Sequence, residues 1–407
     1  MFDDLLDFVA IRRLSMAFMI LAAALACLGV GPAAAQTPST GDEELLSLTG
    51  SQPALAADSR GGFVAIWTDT EAENEGLGIR GCLLAPKKGS CGPHFAVNTT
   101  AVGDQIRSSV TADEPGRFVV AWQGPTESGT GVFGQRFGAG GVKLGPELLL
   151  SRASSGNLGW PKVAMGEGGD FVATWQNDQE SRIEVARFTA KGKPVGSPFP
   201  LDTEGETING AMVVRYPGGF VVGWHEFIDQ SGGRSGISFA AVARFDSAGR
   251  PVGKVERLEG YRIDALVGGR GGALAIFDSF DGHSAQRFEA SGELKEGRFS
   301  FVGTPPCSDS DGPCDSVAAV ARDARGRFVV IWEVTEHGTT SNLFAQLFTP
   351  GGKAHTERLP VNTAPSMGFE SPAVALADNG DVMVAWARSD TLHPERTGLF
   401  LRRMRLE

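Results

Sequence analysis

Positive charge is in short supply in this chain. Lys and Arg number 37 against 48 Asp and Glu, a net charge of −11. A phosphate backbone needs a basic surface, so the balance argues against nucleic acid as a partner. Anionic membrane surfaces are disfavoured on the same ground. Long apolar runs are missing beyond residue 35, so nothing later in the chain is apolar enough to span a bilayer. Cysteine is scarce, with five in all. Gly-x-Ser-x-Gly and the Walker loop are absent, and no other catalytic constellation rises above background. What is present reads as globular: 42% hydrophobic and 21% charged residues. The 55 glycines call for many tight turns.

Residues 1–35 read as a signal peptide. Arg12 and Arg13 give a positive start, Met16 to Val30 an apolar run, and Pro32-Ala33-Ala34-Ala35 a small-residue cleavage site before Gln36. The acidic opening, Asp3, Asp4 and Asp7, is unusual for such a segment. A lipoprotein site at Cys27, a twin-arginine signal and an uncleaved anchor all fit less well. Residues 36–43 read as a linker. The expected address is the periplasm or the exterior, without membrane insertion after cleavage. With Cys27 removed, the remaining cysteines form two close pairs, Cys82 with Cys91 and Cys307 with Cys314. Behind an export signal this spacing predicts two disulfides.

One strand repeats along the chain. Phe63-Val-Ala-Ile-Trp67 returns as Phe118-Val-Val-Ala-Trp122, Phe171-Val-Ala-Thr-Trp175 and Phe220-Val-Val-Gly-Trp224. It returns again as Leu274-Ala-Ile-Phe277, Phe328-Val-Val-Ile-Trp332 and Val382-Met-Val-Ala-Trp386. The closing aromatics are 49 to 55 residues apart. Apolar residues stand at consecutive positions, which means a strand buried on both faces. Each copy has a small-residue strand before it, such as Pro53-Ala-Leu-Ala-Ala57, joined by a Gly-containing turn. A third strand carries Gln-Arg-Phe or Ala-Arg-Phe, and a short fourth follows. The last copy stops after its third strand, while Glu44-Leu-Leu-Ser-Leu48 is a spare strand at the other end. Placed together, they close a ring. The expected fold is therefore all-β: a seven-bladed β-propeller of four-stranded blades over residues 44–407, with the N-terminal strand completing the last blade. The pattern resembles the Phe-Val-Val-x-Trp repeats found in tandem in exported bacterial proteins, over roughly residues 44–407. The resemblance implies architecture and transfers no catalytic residue.

Function has to sit where the copies differ. Loops between strands two and three share one face with the blade-to-blade connections. They are acidic, with Asp69, Glu71, Glu73, Glu75, Glu127, Asp178, Glu180, Glu226, Asp229, Asp278, Asp281, Glu333, Glu336 and Asp390. Solvated loops on an acidic protein are the plain reading. His225, His283, His337 and His393 also fall there, but a metal needs them to converge. Trp160, at the start of a small-residue strand, stands where other copies have small or polar residues. Together with His225 and Glu226 it is the expected ligand-binding set, with Trp160 stacking on a sugar ring or a partner side chain. Asp309 and Asp311, in the Cys307–Cys314 loop, resemble a fragment of a calcium loop without a full ligand set, so no cofactor is expected, with calcium there as the alternative. The third-strand arginines, Arg136, Arg187, Arg244 and Arg287, are expected to pair with carboxylates of the adjoining blade. No Ser-x-Asp-x-Gly-x-x-Trp box of the sialidase type occurs. The leading expectation is a monomeric, non-enzymatic binding propeller that presents its loop face to a carbohydrate or protein. The alternatives are a polysaccharide hydrolase or lyase using loop carboxylates, and a structural subunit of an envelope complex.

Overall fold

A computed structural model describes residues 39–406 apart from 71–75, 87–89, 152–155, 202, 204–206, 230–235, 260, 270–271, 280–281, 290–296, 302–313, 337–339, 367 and 390–396. Strands are the only regular elements among the described residues, 28 in number, as the repeat predicts. They fall into sets of four in chain order, each an antiparallel meander. Two of the sets merge into one eight-stranded sheet, because Gly156 and Asn157 pair in parallel with Gly129 and Thr130. Among the described residues, no helix is long and apolar enough to cross a membrane. Ser39–Leu406 forms one compact unit.

The second strand of each set shows why the repeat exists. Every residue of Phe63–Asp69 is buried, and Trp67, Trp122, Trp175, Trp224, Trp332 and Trp386 have no exposed surface. Alternate residues face opposite neighbours. Phe63, Ala65 and Trp67 pack on Met383, Ala385 and Leu399 of the last set, while Val64 and Ile66 pack on Phe118, Val120 and Trp122. The Phe that ends the third strand stacks on the Phe that begins the second. Ring centroids lie 4.6 Å apart for Phe118–Phe137 and 4.8 Å for Phe220–Phe245. Offset stacking adds about 1 kcal/mol to the area buried.

The chain ends meet. Ser39–Ser47 pairs antiparallel with Gly398–Arg405, so the last set takes its fourth strand from the N-terminus. This strand begins five residues before Glu44, inside the expected linker. Arg402 fastens it by donating from Nε to the Gly41 carbonyl at 2.7 Å. The first strands of successive sets pack side by side, and Ser51–Ala57 also packs on Phe369–Leu376.

Three expectations meet the structure differently. Most fourth strands pair over only two residues, as at Phe95–Ala96 and Leu148–Leu149, because one of their faces meets solvent. Two of the four third-strand arginines reach main chain rather than carboxylates of the next set. Arg136 donates to the Ala190 carbonyl at 2.7 Å and Arg187 to the Ser247 carbonyl at 3.3 Å. Carbonyls are present in every copy, whereas a side-chain partner would have to be repeated. Arg244 instead faces Glu256 of its own set at 3.8 Å. The Cys82–Cys91 disulfide is formed. Cys307 lies outside the described residues, and Cys314 opens the first strand of the sixth set.

Candidate functional site at the channel mouth

Every first strand is interrupted at one register. In five sets two residues stand opposite the closing Trp: Gln52-Pro53, Arg107-Ser108, Trp160-Pro161, Gly210-Ala211 and Ser371-Pro372. Asp264 and Ala318 are the extra residues in the other two. A bulge of this kind turns the inserted side chain out of the sheet. Gln52, Arg107, Trp160 and Ser371 take φ values between 45° and 58°, and Gly210 takes 67°. The left-handed region costs a non-glycine residue roughly 1–2 kcal/mol. The seven bulge residues sit at one end of a channel of about 600 Å³ walled by the first strands. Their identities differ in every copy, although the backbone feature recurs.

Three neighbours on this rim are linked. The Arg107 amide donates to Gln52 Oε1 at 2.9 Å, and Arg107 Nη1 donates to Gln123 Oε1 at 2.9 Å. The Arg107 guanidinium lies 3.8 Å from the centroid of the Trp160 ring. Trp160 is 50% exposed, so one face of the indole is held by the cation and surface remains open. Just below the rim, the first residue after the bulge is small in most sets: Ala54, Ser109, Ala265, Ala319 and Ala373. Lys162 occupies this layer and projects into the channel. Its side chain is exposed within the channel, and the surrounding walls desolvate the amine enough to lower it from the usual lysine value.

A compact polar cluster lies at Asp264. Asp278 is the next-to-last residue of the second strand of the fifth set, Gly272–Ser279, and His283 stands directly opposite it on the third. Arg262 stands opposite Asp278 on the first strand. Arg262 Nε is 3.0 Å from Asp264 Oδ1, and Nη2 is 3.6 Å from Asp278 Oδ2. The remaining oxygens turn toward the imidazole. His283 Nδ1 is 3.4 Å from Asp278 Oδ1 and 3.8 Å from Asp264 Oδ2. Side-chain exposure is 2% for His283, 4% for Asp264 and 21% for Asp278, so Asp278 is the group a ligand can reach. Burial raises the Asp264 carboxyl to about 6 against the opposing pull of Arg262, with Asp278 adding to the rise. Burial lowers the His283 imidazole. His225, one set away, is also lowered by burial and then by Arg262.

Two of the expected binding residues thus belong to this end of the molecule. Trp160 is on the rim, and His225 is half-buried within electrostatic reach of Arg262. Glu226 is corrected to a structural residue. It has no exposed surface, accepts a hydrogen bond from Trp224 Nε1 at 2.7 Å, and pairs with Arg257 at 2.9 Å. Asp69 plays the same part for Trp67, at 2.8 Å. Several acids expected in solvated loops are therefore acceptors for the buried indoles of the repeat. Glu71, Glu73, Glu75, Asp281, Asp309, Asp311, His337, Asp390 and His393 lie outside the described residues. Asp264 and Arg262 were not singled out by the repeat, but the register could have found them. Ser279 pairs with Gly282, which places Asp278 across from His283.

The opposite end of the channel opens into a second cavity of about 410 Å³, lined by Asp58, Asp113 and Asp323. Those carboxylates are occupied within their own turns, as when Asp58 Oδ1 accepts from the Arg60 and Gly62 amides at 2.8 Å. Asp113 and Asp323 do the same for Arg117 and Arg327.

No protein-family model and no curated protein match the chain by sequence. Solved structures match by shape. An α-L-arabinanase of Penicillium chrysogenum aligns with a TM-score of 0.52 at 12% identity, covering 91% of this chain and 99% of its own. A polysaccharide lyase, an ulvan lyase of family PL25, aligns with a TM-score of 0.52 at 9% identity, covering 89% and 95%. An α-L-arabinofuranosidase of Fusarium graminearum aligns with a TM-score of 0.50 at 10% identity, covering 90% and 98%. At such identities the likeness establishes the fold alone, all-β and of propeller type. It nevertheless overturns the leading expectation of a non-enzymatic binding propeller, because these like-folded neighbours are carbohydrate-cleaving enzymes.

Proposed function

We propose that this chain is an exported polysaccharide-cleaving enzyme, a hydrolase or lyase, whose substrate lies across the channel mouth. One observation carries the reading: the same ring of bulge residues holds an open aromatic face at Trp160 and, at Asp264, a pair of carboxylates with an imidazole. A sugar ring presents axial C–H bonds to an aromatic face and hydroxyls to charged groups, so a glycan needs both. Cleavage of its linkage needs acid–base groups beside the bond, and Asp278 is the member of the cluster best placed to touch substrate. The enzymatic activities of the like-folded proteins support this choice.

The architecture that supports it is a ring of seven blades, closed where the N-terminal strand completes the last set. Seven apolar clusters among the described residues each join two neighbouring sets, including the first with the last. The repeat is of the Phe-Val-Val-x-Trp kind. Export to the periplasm or exterior is supported by the leader-like residues 1–35 and by the Cys82–Cys91 disulfide.

The test is a panel of neutral and acidic polysaccharides incubated with the mature chain. New reducing ends report hydrolysis, and unsaturated ends report elimination. One polysaccharide is expected to be cut, and Asp278→Asn is expected to lower the turnover rate about 100-fold or more. Trp160→Ala is expected to weaken binding about 5-fold, the worth of one stacking contact. A panel that yields no new ends, or a rate indifferent to Asp278, sinks the reading.

A further inference from the structure

We propose that Asp264, Asp278 and His283 bind one divalent transition-metal cation such as zinc. Each side chain offers one ligand atom, and the three atoms lie within 4.8 Å of one another. The proximity alone would carry little, since acids cluster in many proteins. The decisive feature is what these atoms lack. Asp264 Oδ2, Asp278 Oδ1 and both ring nitrogens of His283 are buried with no hydrogen-bond partner among the described residues. Buried polar groups are satisfied almost without exception, and each orphan costs about 1–3 kcal/mol. Three of these orphans, Asp264 Oδ2, Asp278 Oδ1 and His283 Nδ1, converge on one spot, while Nε2 lies on the far edge of the ring.

Arg262 completes the picture instead of competing with it. Its guanidinium takes the outer oxygens, Asp264 Oδ1 at 3.0 Å and Asp278 Oδ2 at 3.6 Å. That leaves the inner oxygens turned toward His283 and fixes both carboxylates in orientation, as the outer partners of metal ligands do. Phe301 and Trp332 pack on the imidazole, with centroids at 6.2 Å and 5.3 Å, and hold the ring in place. The donor set selects the ion. Calcium wants six to eight oxygens, whereas two carboxylate oxygens and one imidazole nitrogen suit zinc, manganese or cobalt. Three protein ligands leave a coordination position free, the arrangement of metal sites that act on a substrate. The ion would sit in the cluster proposed for glycan cleavage, with Asp278 as one of its ligands, but metal binding is measured with no substrate present, so its failure is distinguishable from a failure of that reading.

The experiment uses the mature chain without a histidine tag, stripped with chelator, dialysed and titrated with Zn²⁺ by calorimetry. Metal content after gel filtration is read by elemental mass spectrometry. One equivalent per chain is expected, together with a Zn²⁺-dependent rise in melting temperature. Asp264→Asn and His283→Ala are each expected to remove both effects. Asp278→Asn, at the most exposed of the three positions, covers the case in which a buried variant fails to fold. It should keep the circular dichroism of the parent and bind Zn²⁺ at least 10-fold more weakly. Absence of stoichiometric binding in the parent overturns the proposal. So does binding of undiminished affinity in a folded Asp278→Asn variant.

Discussion

A carboxylate with no exposed surface and two donors is costly to disturb. Glu226 accepts from the Trp224 indole and the Arg257 guanidinium, and its loss would take a buried acceptor from both donors. Glu226→Ala is therefore expected to cost about 3–5 kcal/mol, the usual result of breaking a buried pair, read as a fall in the urea midpoint. A ligand-binding residue would change affinity and leave the midpoint alone. Lys162 behaves in the opposite way. Its amine projects into a channel layer that is otherwise mostly small, and its folded value is lowered by burial. The unfolded chain keeps the usual value of about 10.4. Below the folded value both states are charged, and the fold bears a desolvation cost, reduced by the solvent that the exposed side chain still meets in the channel. As pH rises through the folded value the native state loses its proton first, so stability increases until the unfolded chain also titrates. Lys162→Met is expected to raise the melting temperature at neutral pH, with the gap closing above about pH 10. A gap independent of pH would remove the amine from the explanation.

At the scale of elements, the strand Ser39–Ser47 is the closing piece. It covers Gly398–Arg405, which would otherwise be a long free edge, and buries Leu46 among Trp67, Leu399 and Leu401. Deleting residues 39–47 should lower the melting temperature and yield concentration-dependent oligomers in light scattering, since an uncovered edge pairs with other chains. A monomer of unchanged stability would show the strand to be dispensable. The second strands were legible from sequence because burial on both faces forces consecutive apolar residues, and neighbouring strands inherit that order. The bulge in the first strand was not. Its backbone conformation recurs, but Gln52, Arg107, Trp160, Gly210, Asp264, Ala318 and Ser371 share no chemistry that a repeat alignment could detect. Only Trp160 drew notice, by its size. The acidic loops misled for a physical reason: Asp69 and Glu226 follow the motif Trp by two residues, where a carboxylate reaches back to the indole instead of out to water.

For the whole molecule, chemistry concentrates where seven dissimilar side chains are brought together by seven similar strands. Six of the seven tryptophans are buried in the repeat with no exposed surface, and Trp160 alone is half exposed at the channel mouth. The six core indoles give a background that a ligand at the mouth does not touch, so a ligand-dependent change in intrinsic fluorescence reports on Trp160. The direct test of a glycan lying there is a fluorescence titration of Asp278→Asn, with cleavage disabled, against the polysaccharide panel. The account predicts that the polysaccharide cut by the parent chain, and no uncut one, shifts the emission of this variant, and that Trp160→Phe in the same background abolishes the shift. A cut polysaccharide that leaves Trp160 emission untouched would place the substrate elsewhere and contradict the account.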